Sequence, residues 1–235
     1  MTAADHLLSS IRGRFGTILA DPPWQFQNRT GKMAPEHKRL SRYGTMSLQE
    51  IVELPVHLYA ADRSHLYLWV PNAMLEDGLR VMRAWGFQYK SNVVWHKVRK
   101  DGGSDGRGVG FYFRNVTEII LFGVRGKNVR TLPPGRRQVN LLATRKREHS
   151  RKPDELYPLI EACSWGPYLE LFARTRHAGW TAWGNEAPDE TDRFNGRSYG
   201  AAYSQESIQR DGRAAALAQL RFFEKPTPSV RRKLA

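Results

Sequence analysis

Cysteine is nearly absent from this sequence. The single Cys163 among 235 residues excludes an internal disulfide and any zinc site built from several thiolates. Its apolar neighbours in a helical pattern make it a small core residue rather than a nucleophile. Long apolar runs are absent as well, and none approaches the roughly 20 residues that cross a bilayer. The opening MTAADHLLSS lacks the basic stretch and long apolar run of a secretory signal. Together these absences predict a soluble, cytoplasmic, nucleoid-associated protein. Acidic residues are scarce beside basic ones, 23 against 37, for a net charge of +14. Such a surface repels itself unless it meets a polyanion, and nucleic acid is the commonest one.

Also missing is a glycine-rich cofactor loop near the N-terminus. The one glycine-rich segment, around Gly106, Gly108 and Gly110, does not fit the dinucleotide fingerprint and opens no helix, so it reads as a mobile substrate loop. What the chain does contain is a series of short runs, rich in apolar and β-branched residues, over 15–20, 65–70, 88–98, 117–124 and 168–173. They are nearly continuous in apolar residues, as suits strands covered on both faces. Helical patterns lie between them. Asn72 to Trp85 spaces Ala73, Leu75, Leu79 and Met82 along one face and stops at Gly86, and Pro153 to Cys163 opens on proline followed by acids. This alternation predicts an α/β fold, an open, mostly parallel sheet with helices on both faces, in which ligands bind beyond the carboxyl ends of the strands. Residues 99–114 and 125–147 read as basic loops. From about Ala187 the chain turns polar, which predicts a domain over 1–187 and a basic, partly helical or disordered appendage over 188–235.

The most informative feature is Asp21-Pro22-Pro23-Trp24, directly after the first predicted strand. Two prolines fix their φ angles and donate no hydrogen bond, so the chain leaves the sheet stiffly. Asp21, preceding a proline, is held extended. The result is a rigid spur bearing a carboxylate, free carbonyls and a large aromatic face. An adenine amino group is a weak nucleophile with two N–H donors, and it becomes cationic as it attacks a methyl group. A carboxylate and a backbone carbonyl can accept both N–H bonds, aim the lone pair and stabilise the developing charge. Trp24 is expected to stack on the base, which must first be flipped out if it comes from a duplex.

The pieces ILADPPW, YGTM at Tyr43 to Met46, LYLWV, VVWHK, TEIILFGVRG, HSRKPDELY, LELFAR and WGNE follow one another from about Gly16 to Glu186. In that order they resemble the DPPW-type adenine-N6 methyltransferase family, that of the catalytic subunit of the eukaryotic mRNA adenosine methyltransferase. Small bacterial and phage members of the family act mostly on DNA. The resemblance implies a seven-stranded Rossmann-like methyltransferase sheet, with the catalytic motif N-terminal to the cofactor-binding strand at 168–173, and S-adenosylmethionine as cofactor. It implies cofactor contacts from Asp21, Arg125, Lys152, Leu171, Phe172, Arg174, Asn185 and Glu186. The base pocket would be shaped by Tyr43 and Trp24, with Asp21, Pro22, Pro23 and Trp24 forming the catalytic spur. Two departures stand out: Asn185-Glu186 replaces an Asn-Gln pair, and Arg176 stands where the RNA enzyme has histidine. Arg136, Arg137, Arg145, Lys146 and Arg147 are expected to grip phosphates.

The resulting expectation is methyl transfer to the amino group of adenine in DNA. RNA is the alternative substrate, and a non-catalytic nucleic-acid-binding subunit is the alternative class. No metal is expected, and a homodimer is plausible by resemblance.

Overall fold

The computed structural model describes residues 2–25, 45–105, 112–145 and 152–184. Its centre is one seven-stranded sheet in the order β5-β3-β4-β2-β1-β6-β7. The strands are β1 (Phe15–Ala20), β2 (Ala60–Val70), β3 (Gln88–Val98), β4 (Thr117–Arg125), β5 (Leu141–Arg145), β6 (Tyr168–Leu171) and β7 (Trp180–Trp183). β4 runs antiparallel to both of its neighbours, and every other pairing is parallel. The mixed α/β sheet expected from the sequence is therefore present. All six residues of β1 are buried, as a central strand covered on both faces requires.

Side-chain alternation divides the core in two. On one face Ile18, Leu66, Leu68 and Leu121 pack against helices α1 (Ala3–Ser10), α2 (Leu48–Val52) and α3 (Leu75–Ala84) through Leu7, Ile51, Val81 and Met82. On the other, Leu19, Tyr67, Trp69, Ile120 and Trp95 meet Leu156 and Ile160 of helix α4 (Leu156–Cys163). Local chemistry sets the helix ends. Thr2 with Asp5 and Ser47 with Glu50 form reciprocal capping boxes at α1 and α2. Past α3, Gly86 adopts φ +83°, a left-handed conformation that glycine takes without steric cost. Among the described residues, no helix is long and apolar enough to cross a membrane.

Several element boundaries differ from the sequence reading. The stretch from Asn72 begins as a 3-10 turn (Asn72–Met74) before α3 proper. The helix predicted from Pro153 starts at Leu156, because Pro153 and Asp154 carbonyls are taken up by turn bonds from Leu156 and Tyr157 at 3.1 and 3.2 Å. The strand predicted over 168–173 ends at Leu171, where Phe172 turns to φ +64°, and a further strand absent from the sequence reading, β7, follows it. The stretch over 125–147 is not wholly irregular: it holds a 3-10 turn (Pro134–Arg137) and β5, an edge strand whose five residues add one parallel ladder to β3. Cys163 is buried at the end of α4, as expected. The glycine-rich centre at Gly106, Gly108 and Gly110, and the appendage over 188–235, lie outside the described residues.

Candidate active site

The carboxyl ends of β1, β2, β3 and β6 meet at one edge of the sheet, and the antiparallel β4 enters there at its N-terminal end. Asp21 follows β1 directly, and its N–H points to the Leu171 carbonyl of β6 at 3.4 Å. Lys152, from the segment leading into α4, reaches over this edge. Its Nζ lies 3.2 Å from Asp21 Oδ2 and 3.0 Å from Glu118 Oε2, and 4.6 Å from the centre of the Trp69 ring. Glu118 in turn pairs through its other oxygen with Lys97 of β3. The alternating row Asp21, Lys152, Glu118, Lys97 is thus spread over three strands and a loop. The side chains of the first three keep 25, 26 and 28% of their surface open, so the row is half-buried and accessible.

Burial and charge compete along this row. Burial pushes the Asp21 carboxyl above the usual carboxylate range, and it outweighs the attraction of Lys152. Burial also opposes ionisation of Glu118, but Lys152 and Lys97 together overcome it and hold Glu118 down to about 2. For Lys152, burial pulls the ammonium down while Asp21 and Glu118 more than compensate, so its net shift is upward. Lys152 and Glu118 are therefore charged at neutral pH, and Asp21 is the group of the row whose protonation is eased.

Beside Asp21 lies a second acid. Glu170 of β6 stands in register with Leu19 of β1 and shares the Asp21 face. Tyr157 of α4 donates to its Oε1 at 3.0 Å, and Tyr157 stacks on His177 with ring centres 3.5 Å apart. Burial first, and nearby Asp21 in addition, raise Glu170 to about 7. Its Oε2 is buried without a hydrogen-bond partner.

The spur itself is stapled down. Trp24 N–H donates to the Pro22 carbonyl at 2.8 Å, and Met46 N–H to the Pro23 carbonyl at 3.0 Å. The Trp24 indole N–H donates to the Trp69 carbonyl at 2.9 Å. Trp24 is only 5% exposed and packs in the core of the opposite face. This corrects the expectation of an open stacking platform at Trp24: the ring anchors the spur to the end of β2. The freely exposed rings at this edge are Tyr112 and Phe113, 94 and 86% exposed, shortly before β4.

Of the remaining residues singled out in the sequence, Leu171 is fully buried in the core, and Phe172 packs edge-on against Trp183 at 5.3 Å. Arg174 is exposed and close enough to Asp21 to favour its ionised form. Arg145 is exposed at the end of β5, and Arg136 and Arg137 lie in the 3-10 turn before it. Tyr43, Lys146, Arg147, Asn185 and Glu186 lie outside the described residues. Arg125 is not brought to the site. It pairs with Ser64 at the far end of β2, and its Nη1 donates to the His57 carbonyl at 2.7 Å. The adjoining Gly126, at φ +96°, has no room for a Cβ, which would meet the Asp62 carbonyl at 2.4 Å. The GVRG turn is thus a structural corner at the edge away from Asp21.

Residues 15–186 match the MT-A70 family over the whole of this sheet. The chain belongs to the MT-A70 family. Relatives of this MT-A70 chain include an N(6)-adenosine-methyltransferase MT-A70-like protein of Arabidopsis thaliana, 32% identical over 75% of this chain and 24% of that protein. The human N(6)-adenosine-methyltransferase catalytic subunit METTL3 is 30% identical over 80% of this chain and 32% of its own length. The type II methyltransferase M.MunI of Mycoplasma sp is 29% identical over 76% of this chain and 80% of its own length. The MT-A70 chain therefore spans about a quarter to a third of its plant and animal relatives.

The S-adenosylmethionine that a methyltransferase family implies fits the residues present. The buried, partnerless Oε2 of Glu170 calls for a hydrogen-bond donor at the end of β6, and the cofactor carries an ammonium and two ribose hydroxyls. Sequence reasoning singled out neither Glu118 nor Glu170. Each is an acid inside an otherwise apolar strand, TEIILFG and LELF, and that placement was the available signal.

Proposed function

We propose that this chain transfers a methyl group from S-adenosylmethionine to the N6 amino group of adenine in DNA. The observation that carries the reading is the row Asp21–Lys152–Glu118 on the ligand-binding edge of the sheet, in a chain of the MT-A70 family. When bound, S-adenosylmethionine supplies an electrophilic sulfonium methyl. The chain's own residues would then do three things. Asp21, with an accessible carboxylate, accepts one amino N–H of adenine and balances the positive charge that develops on nitrogen. The Pro22 carbonyl already accepts one bond and has a second lone pair for the other N–H. Lys152 holds Asp21 in place from the side, seated on the Trp69 ring. Glu170, Phe172 and Arg174 at the end of β6 are the described residues that would hold the cofactor. Tyr112 and Phe113 replace Trp24 as the rings available to stack on bases next to the target.

The DNA assignment is supported by M.MunI, a type II methyltransferase with which the match extends over 80% of its length. RNA is the second reading, favoured by the adenosine methyltransferase names of the plant and animal relatives. The assembled charge row argues for an enzyme over a non-catalytic subunit. Mass spectrometry of nucleosides from DNA and RNA of expressing cells tests all three readings. N6-methyladenine in DNA, absent with Asp21→Ala, is expected. Methylation confined to RNA would overturn the DNA assignment, and methylation of neither would overturn the enzyme.

A further inference from the structure

The face of the sheet that carries Asp21 has a second basic feature at its opposite end. A cleft of about 360 Å3 opens beside the start of β2, with Arg63, Arg130 and Arg136 on its walls and, among the described residues, no Asp or Glu lining it. Two of them are set in place by hydrogen bonds, and among the described residues no ion pair neutralises any of the three. Arg63 donates to the Asn128 carbonyl over a long 3.4 Å and lies 5.9 Å above the Trp165 ring. Arg136 Nε donates to the Thr131 carbonyl at 3.3 Å. Their scaffold is fixed in turn, because Leu132 N–H donates to the Cys163 carbonyl at the end of α4 at 2.8 Å, and Asn128 takes a left-handed φ of 56°. Three like charges around one small cleft repel each other until an anion enters, and the guanidinium fork matches phosphate oxygens in pairs.

We propose that this cleft is a phosphodiester clamp that grips nucleic acid away from the methyl-transfer site. The proposal rests on the nucleic-acid substrate inferred above and adds a second point of attachment with a defined reach. Arg63 at the cleft and Trp69 under Lys152 lie on the same strand and face, six residues apart. At roughly 3.3 Å per residue that is about 20 Å. Along the axis of a duplex, one strand advances about 3.4 Å per phosphate. A duplex lying along this direction with its adenine at Asp21 therefore places a phosphate in the cleft about six base pairs from the target. Free nucleotides have the same phosphate chemistry but no reach, and this difference separates the two ligands.

The test compares hairpin-closed duplexes with about three and about fifteen base pairs on each side of the target adenine, around the ~6-base-pair reach. Affinity is read by fluorescence anisotropy at low salt, in DNA and RNA versions. The full chain is compared with Arg130→Gln/Arg136→Gln, and with Arg80→Gln/Arg83→Gln, which removes equal charge from α3 on the other face. Long flanks should improve wild-type binding, and the cleft variant should lose about tenfold on long oligonucleotides with a salt slope shallower by about one per phosphate lost. Its affinity for short ones should stay within twofold, and the α3 variant should keep the flank effect. Equal losses at both lengths, or none, would overturn the clamp. So would tight binding of tripolyphosphate or ATP, abolished by the cleft variant, with no flank effect. The readout needs no methyl transfer. A chain that methylates neither polymer but shows the flank effect refutes the enzyme and keeps the clamp, and a chain that methylates without a flank effect does the reverse.

Discussion

Replacing Lys152 by methionine removes the one cation shared by Asp21 and Glu118 while keeping a side chain of similar length over Trp69. At 3.2 and 3.0 Å, each contact is worth about 5 kcal/mol of gross attraction at an effective dielectric of about 20. Much of that is offset by the desolvation of the three groups. Removing one partner of a buried pair costs about 3–5 kcal/mol, and with a quarter of each side chain open to water the lower end, about 3 kcal/mol, is expected. The loss must depend on pH, and its sign follows from Asp21. Burial already raises this carboxyl above its ordinary 3.8, and without Lys152 it rises further. The unfolded chain then releases the proton before the folded one does, so stability falls as pH climbs through that window. Glu118 loses the larger of its two attractions and keeps Lys97, and this part of the loss is already present near pH 4, where Glu118 is ionised in the wild type. Urea unfolding of Lys152→Met should show a clearly smaller loss near pH 4, where only the Glu118 contact counts, than the about 3 kcal/mol near pH 8. The acid limb of the methyl-transfer pH profile should move up by about one unit, since one unit corresponds to about 1.4 kcal/mol and Asp21 carries about half of the loss. Lys152→Arg should restore most of both. Equal destabilisation at the two pH values, with an unmoved acid limb, would refute this account of the charge row.

Three other perturbations separate site from scaffold. Trp24→Phe deletes the indole N–H bond to the Trp69 carbonyl and should destabilise the fold by about 1–3 kcal/mol in chemical denaturation. A large rise in KM for the nucleic acid with unchanged stability would instead revive Trp24 as a stacking platform. Arg125→Ala should cost about 1 kcal/mol through the lost bond to the His57 carbonyl, and should leave S-adenosylmethionine affinity in calorimetry unchanged. A tenfold weaker affinity would bring Arg125 back to the cofactor. Glu170→Gln removes a group that is protonated up to about 7 in the fold but loses its proton near 4.5 when unfolded. The wild type therefore gives up stability between those values, and the variant should be the more stable by up to about 3 kcal/mol above pH 7 and equal to it near pH 4. Parallel Tm against pH curves for the two proteins would contradict the buried-acid assignment.

The legible parts of the fold were those in which one physical signal dominates. β1 and β3 were bounded correctly because six and eleven residues of strand character end at Pro22 and at the basic turn after Val98. β7 escaped because WTAW is only four residues long, with Trp180 facing one core and Trp183 the other, so neither period is visible in it. β5 escaped because its five residues lie among arginines, and only the edge of β3 makes them a strand. α1 carried a readable capping box at Thr2 and Asp5, but it follows the first residue and has few apolar positions to set a period. Trp24 was misread for a different reason. A tryptophan after two prolines is bound to project from the chain, but which side it projects to depends on the packing of β2 and Met46, which lie far off in sequence.

The two main departures at the site, Arg125 absent and Glu118 present, have one cause. The family resemblance implied a cofactor contact from Arg125, in the turn after TEIILFG, and a strand running parallel to its neighbours would carry that turn to the ligand edge. β4 is the one strand that runs the other way. Its antiparallel register sets Val70 against Ile119 at the ligand edge and Ser64 against Arg125 at the other. Reversal therefore exchanges the two ends: Glu118 moves in to share Lys152, and Arg125 moves out to brace a 3-10 turn (Val56–Leu58) through the His57 carbonyl. Strand direction is a property of the whole sheet, fixed by hydrogen bonding to β2 and β3, and no residue within β4 encodes it alone. The acid of an apolar strand is a local signal all the same. An unpaired carboxylate in that position would be intolerable in either direction, so Glu118 in TEIILFG announces a cation before its partner is known. Lys152 and Lys97 are the cations it required.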